Sequence, residues 1–143
     1  MGQQQLLLVI LVTILVGIAT LVAFNVFGTA AEEANRDAVR QDILAAAAQA
    51  QAIWTRPAMM DGAGQDFATT TTAELLPRLN IPGTVAADGS TVTNENGVYT
   101  VAITNATTIA VTGDPSSDTE NIIGTVSRVN GVWEITWSAP AAP

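Results

Sequence analysis

The sequence predicts an α+β fold: a long N-terminal α-helix, apolar and then amphipathic, packed on a small antiparallel β-sheet. Three observations carry the prediction. Residues Leu6 to Phe24 contain no charge and are interrupted only by Thr13, Gly17 and Thr20. Between Val39 and Trp54 apolar residues recur at helical spacing: Val39, Ile43, Ala46/Ala47, Ala50 and Ile53/Trp54. From about Val85 onward, period-two runs are joined by turn signals, the clearest being Asn130-Gly131.

The first element is the apolar run. Its nineteen residues span about 28 Å at about 1.5 Å each, close to the hydrocarbon thickness of a bilayer. Four readings compete. A cleaved signal peptide needs a basic segment ahead of a shorter apolar core. Gly28-Thr29-Ala30 offers a small-residue cleavage site, but no Arg or Lys precedes the run. A single-pass anchor takes its orientation from flanking Lys and Arg, whereas the first charge here is Glu32 and the first base is Arg36. A helix apolar on every side must be surrounded by lipid or by other helices, so the third reading bundles the N-terminal helices of many copies. The fourth, an ordinary core helix, needs more surrounding protein than the remaining residues supply.

At Gly28 the composition changes to GTAAEEANRDAVRQDILAAAAQAQAIWTRP. Alanine is the best helix former, nothing breaks a helix between Thr29 and Arg56, and Pro57 sets its end. Glu32 and Glu33 precede Arg36, and Asp37 precedes Arg40, at pairing distance on a wet face. The Val39–Trp54 stripe is the core-facing side, and the alanines at 45–48 let a sheet approach closely. The two segments join into one helix about 80 Å long at about 1.5 Å per residue. Gly17, flanked by Thr13 and Thr20, is the weakest point of its first half.

Gly62, Gly64 and the Thr69–Thr72 run read as a loop, followed by a short helix at Ala73–Leu76 with Thr72 as its N-cap. Strands are expected at Val98–Thr104 and Thr107–Thr112, across a tight connection, and at Asn121–Val129 and Val132–Ser138, across Asn130-Gly131. In the last strand Trp133, Ile135 and Trp137 share the face turned to the helix stripe; Glu134 and Thr136 take the wet face. The expected sheet is a four-stranded meander with a fifth short strand near Thr91–Thr93, and the tail Ala139–Pro143 reads as frayed or extended. The chain thus parses into an apolar assembly or transmembrane half-helix (1–28), an amphipathic half-helix (29–57), a loop with a short helix (58–84) and a β head (85–143).

Composition narrows the function. The 143 residues carry 13 acidic side chains against 5 arginines, a net charge of −8. No basic footprint for nucleic acid exists. Without Lys, His or Cys the chain lacks the usual general bases, Schiff-base chemistry, thiol nucleophiles and zinc or iron–sulfur ligands. Trp133 and Trp137 read as core rather than as a ligand site. The expectation is a non-enzymatic protein without a cofactor.

An apolar, then amphipathic N-terminal helix followed by a small antiparallel sheet resembles a type IV pilin, in architecture over the whole chain and in motif mainly over residues 1–27. The resemblance implies a subunit stored in the inner or cytoplasmic membrane. Pilus assembly machinery would then move it into a homo-oligomeric helical filament at the cell surface. It makes Met1, Gln3, Gln4, Gln5, Leu6, Leu7, Leu8, Leu11, Leu15 and Gly17 the assembly residues. The family usually carries a glutamate at the fifth mature position and, in many bacterial members, a cysteine pair. This chain has neither: position five is Gln5 if Met1 is the mature first residue, and Leu7 if Gly2 ends a leader. An amide is cheaper to bury than a carboxylate and both donates and accepts, so Gln3–Gln5 suit either a polar layer between subunits or the lipid headgroups. A pseudopilin or minor pilin, and a single-pass membrane-anchored binding module, are the rival functions. Three modification or ligand readings accompany these. Asn105-Ala106-Thr107 fits the N-glycosylation pattern, Thr69, Thr70, Thr71 and Thr72 are O-glycan candidates, and Asp114, Asp118 and Glu120 are a calcium candidate by likeness to pseudopilins.

Overall fold

The structure is a computed structural model and describes residues 2–138. The expectations placed on Met1 and on the tail 139–143 lie outside the described residues. The fold is α+β, one long helix and an antiparallel sheet of six strands. Helix α1 runs unbroken over Gly2–Thr55. The chain divides into two compact units, one ending at Ala34 and the other beginning at Asn35.

In the first unit, α1 passes through Thr13, Gly17 and Thr20 without interruption. The two hydroxyls are satisfied within the helix: Thr13 donates to the Ile10 carbonyl and Thr20 to that of Val16, each at 2.8 Å. Thr29 does the same to Asn25 at 3.0 Å.

The second unit is the head. After α1 come two single-turn helices, Ala58–Met60 and Phe67–Thr69, and a short helix α2, Thr72–Arg78. The strands are β1 (Thr84–Val85), β2 (Val92–Thr93), β3 (Gly97–Asn105), β4 (Thr108–Pro115), β5 (Ile122–Val129) and β6 (Val132–Ser138), each hydrogen-bonded antiparallel to the next. The sheet exceeds the expected four or five strands because the Gly83–Val92 segment folds back as a two-residue pair, too short to show any alternation. Asn130 and Gly131 both take positive φ, 52° and 84°, as a type I′ hairpin requires.

One hydrophobic core holds the head. Val39, Ile43, Ala46, Ala47, Ala50, Ile53 and Trp54 of α1 are buried with Tyr99, Val101, Ile109, Val111, Ile122 and Val126 of the sheet and with Phe67, Leu75, Leu76 and Leu79 of the connection. Of the four alanines at 45–48, Ala46 and Ala47 face the core and Ala45 and Ala48 face out. Small residues meet from both sides. A Cβ added at Gly113 would collide with Val39 Cγ1, and one at Gly124 would stand 2.6 Å from Ile43 Cγ2. Gly124→Val is therefore expected to destabilise the head by about 2–3 kcal/mol, the upper part of the overpacking range. Urea unfolding followed by tryptophan fluorescence measures this. In the double variant with Ile43→Ala the two losses should not add, because the methyl that clashes is gone.

Candidate functional site

The helix of the first unit is a surface rather than a pocket. From Leu6 to Phe27 its large apolar side chains are between 50 % (Val12) and 73 % (Phe27) exposed. Leu6, Leu7, Leu8, Leu11 and Leu15 are all in this set. Gln3, Gln4 and Gln5 are helical and exposed just ahead of them. Gly17 has open space around it. Because the Thr hydroxyls bond to their own helix, the rod offers neighbours almost pure hydrocarbon. Its length and composition suffice to cross a membrane.

In the head, the residues assigned to helix packing fall as follows. Val39, Ile43, Ala47, Ala50 and Trp54 are buried, while Trp133 and Ile135 are half-buried against the core. Trp133 meets the Trp54 ring edge-on, centroids 5.4 Å apart, and Phe67 at 6.3 Å. Arg128 stacks 4.4 Å above Trp54, and Trp54 Nε1 donates to the Ala106 carbonyl at 3.0 Å. Trp137 is the correction. Its ring lies over Gly124, on the helix side of the sheet, but it is 43 % exposed. β6 is the edge strand, and the sheet residues fully buried in the core lie on β2 to β5, with none on β6.

Polar clasps tie α1 to the loops at the Asn35 end of the head. Asn35 Nδ2 donates to the Asn96 carbonyl at 3.0 Å, and Ser117 Oγ donates to Asn35 Oδ1 at 2.8 Å. One oxygen of Asp42, Oδ2, accepts three donors: Tyr99 OH at 2.6 Å and the Nδ2 atoms of Asn94 and Asn96, each at 3.0 Å. Burial, and then the Asp42 hydrogen bond, push the Tyr99 hydroxyl pKa well up. Sequence reasoning passed over this set. Its only signal was a carboxylate bordering the apolar stripe, next to Ile43.

Arg36 corrects two expectations. It does not pair with Glu32 or Glu33 among the described ion pairs; it reaches across to Asp118 and Glu120, the latter at 2.8 Å. Asp37 and Arg40 do pair, at 2.8 Å. The Glu120 hydrogen bond, opposed by desolvation and helped by Asp118, raises the Arg36 pKa. Desolvation acts to raise Asp118, but the Glu120 N–H, the Arg36 guanidinium and the Thr119 N–H outweigh it and hold the carboxyl below the usual range. A guanidinium thus pairs with two of the three carboxylates of the calcium reading, Asp118 and Glu120, while Asp114 lies on β4. Among the described residues, no group of three or more acidic, His or Cys side chains is placed to hold a metal ion.

The threonine run is not a bare linker. Thr69 Oγ1 donates to the Asp66 carbonyl at 2.8 Å, closing a helical turn, and Thr70 is half-buried. Thr71, not Thr72, caps α2. Its side chain accepts from the Glu74 N–H while Glu74 returns a bond to the Thr71 N–H, a capping box. Those bonds, the Thr71 backbone first, hold the Glu74 carboxyl below its usual range. Thr72 is the exposed first residue of α2. Asn105 is exposed at the β3–β4 turn.

Comparison with protein-family models, with curated proteins and with solved structures finds no match for this chain.

Proposed function

We propose that this chain is the repeating subunit of a type IV pilin-like extracellular filament. It is stored in a membrane through its apolar helix and then polymerises through that same surface. The filament displays the acidic head. One observation carries the reading: the charge-free helix surface from Leu6 to Phe27 is uncovered, and the core of the head is complete without any residue before Val39. Each Leu or Phe moved from water into an apolar setting contributes about 1.5–3 kcal/mol, so the rod must be covered. Lipid covers it in one setting and copies of itself in another.

The absence of charge within the rod favours the filament over a permanent anchor. A subunit leaving a bilayer for a dry bundle would lose several kcal/mol for each Arg or Lys it dragged along unpaired; this rod carries none. Pilus assembly machinery would supply the work of extraction.

Shearing cells and sedimenting the supernatant tests this. The expected result is long fibres made chiefly of this chain, visible by electron microscopy and released to monomers by detergent. A chain found wholly in the membrane pellet, with no fibres, would favour the single-pass binding module. Its presence only as a trace component of other fibres would favour the pseudopilin or minor pilin.

A further inference from the structure

We propose that Asn105 is an N-glycosylated residue of the displayed head, the sugar coming from a lipid-phosphate-linked oligosaccharide. The inference rests on the filament reading, since it needs the head to face the side of the membrane where such donors are used. In the reaction Nδ2 of Asn105 attacks the anomeric carbon of the first sugar. The N–C bond forms, the C–O bond to phosphate breaks, the lipid phosphate leaves with the bonding pair, and Nδ2 gives up one proton. A membrane-bound transferase outside this chain carries out the step.

Three observations converge on this residue. Asn105 alone among the chain's asparagines is followed two residues later by Thr or Ser, the pattern such transferases read. It sits exposed at the β3–β4 turn. Its Oδ1 accepts from the Thr107 N–H at 2.9 Å and from the Thr107 hydroxyl at 3.2 Å. Both bonds use the oxygen, so the carboxamide is oriented by the sequon's own threonine, and Nδ2 makes no hydrogen bond found among the described residues. Three other asparagines of the head spend that nitrogen on the fold, Asn35 on the Asn96 carbonyl and Asn94 and Asn96 on Asp42; Asn80, Asn121 and Asn130 lack the sequon.

The turn also tolerates a large substituent. It is held from its inner side, where the Ala106 carbonyl accepts from Trp54 Nε1 and from the Phe67 N–H at 2.9 Å, and the Thr107 carbonyl accepts from the Arg128 N–H at 3.1 Å. A glycan on the outer side displaces none of these bonds. The strand order puts this turn at the head's end opposite the β4–β5 loop, where Ser117 holds Asn35, so the sugar stays clear of that clasp.

Mass spectrometry of the chain sheared from its own cells decides the matter. Trypsin cuts after Arg78 and Arg128, so residues 79–128 form one peptide. The expected result is added sugar mass on that peptide, assigned by fragmentation to Asn105. It should be kept in Thr107→Ser and lost in Thr107→Ala and Asn105→Gln, with tryptophan fluorescence unchanged. The bare peptide mass in sheared wild-type chain, sugar retained in Thr107→Ala, or sugar confined to Thr69–Thr72 would each overturn the proposal while leaving the filament reading intact. A chain absent from the sheared fraction but glycosylated at Asn105 in the membrane would support the site and overturn the filament.

Discussion

Leu11→Arg is expected to abolish sedimentable filaments while leaving the head folded. Leu11 lies well inside the charge-free run and is 62 % exposed, so its replacement removes nothing from the head's core. In an assembled bundle that side chain must be dry. The variant loses the burial of a leucine, about 1.5–3 kcal/mol, and adds the desolvation of an unpaired guanidinium, several kcal/mol even after relaxation. A deficit of only about 4 kcal/mol per subunit lifts the monomer–end dissociation constant about 1,000-fold, since each 1.4 kcal/mol is tenfold. The loss recurs at every subunit, so a chain that polymerises in wild-type form should stay monomeric in detergent or in the membrane. Leu11→Ala removes only the hydrocarbon and should shorten the fibres without eliminating them. Near-ultraviolet circular dichroism of the tryptophans should match wild type in both variants. Fibres of normal length and number in Leu11→Arg would show that this face of the rod is not in the assembly contact.

The fold was largely legible because its strongest signals are periodic and local. The Val39–Trp54 stripe reports its burial through spacing alone, and Asn130-Gly131 reports its hairpin through the positive φ that only a few residues tolerate. The two-residue strands β1 and β2 were not legible as a pair, since a pairing of that length leaves no alternation to count. Capping was misplaced by one residue in a run of four threonines. Thr71 wins over Thr72 because Glu74 stands three residues beyond it and completes the reciprocal box. Trp137 shows where alternation stops being informative: it gives the face of a strand, but not whether that strand lies at the edge of the sheet.

The polar side of the molecule was the least legible, because its partners are far apart in sequence. Arg36 had Glu32 and Glu33 one turn away, and local spacing favoured them. The folded head offers instead two carboxylates from the β4–β5 loop, held by the chain where the guanidinium arrives. A shared carboxylate such as Asp42, with donors from 52 to 57 residues away, leaves no mark in any window of sequence. The rod is the opposite case. Its surface chemistry is visible in composition alone, while the contacts that would cover it belong to other molecules.

Asp42→Ala is expected to cost the head about 2–4 kcal/mol. The variant strands three donors around one vanished acceptor, and a buried donor left unpaired costs about 1–3 kcal/mol; the lower part of that range applies because Asp42, Asn94 and Asn96 are only half-buried. Against a total of about 5–15 kcal/mol for a domain, this moves the urea midpoint far enough to measure with confidence. Tyr99→Phe removes one donor and leaves the carboxylate its two amides, so it should cost no more than about 1 kcal/mol. The pair separates coupling from packing: in Asp42→Ala, the further change Tyr99→Phe should be neutral or stabilising, because it deletes a stranded hydroxyl. The raised Tyr99 pKa adds a dependence on alkaline pH. Its folded value lies above the unfolded one, so the stability it contributes is fully present below about pH 10, the unfolded tyrosine value, and is lost as the pH rises beyond it. That alkaline loss should be absent in Tyr99→Phe. An Asp42→Ala head as stable as wild type would mean that the Asp42 clasp contributes nothing and that the Val39–Trp54 stripe and the other polar ties hold the helix on the sheet.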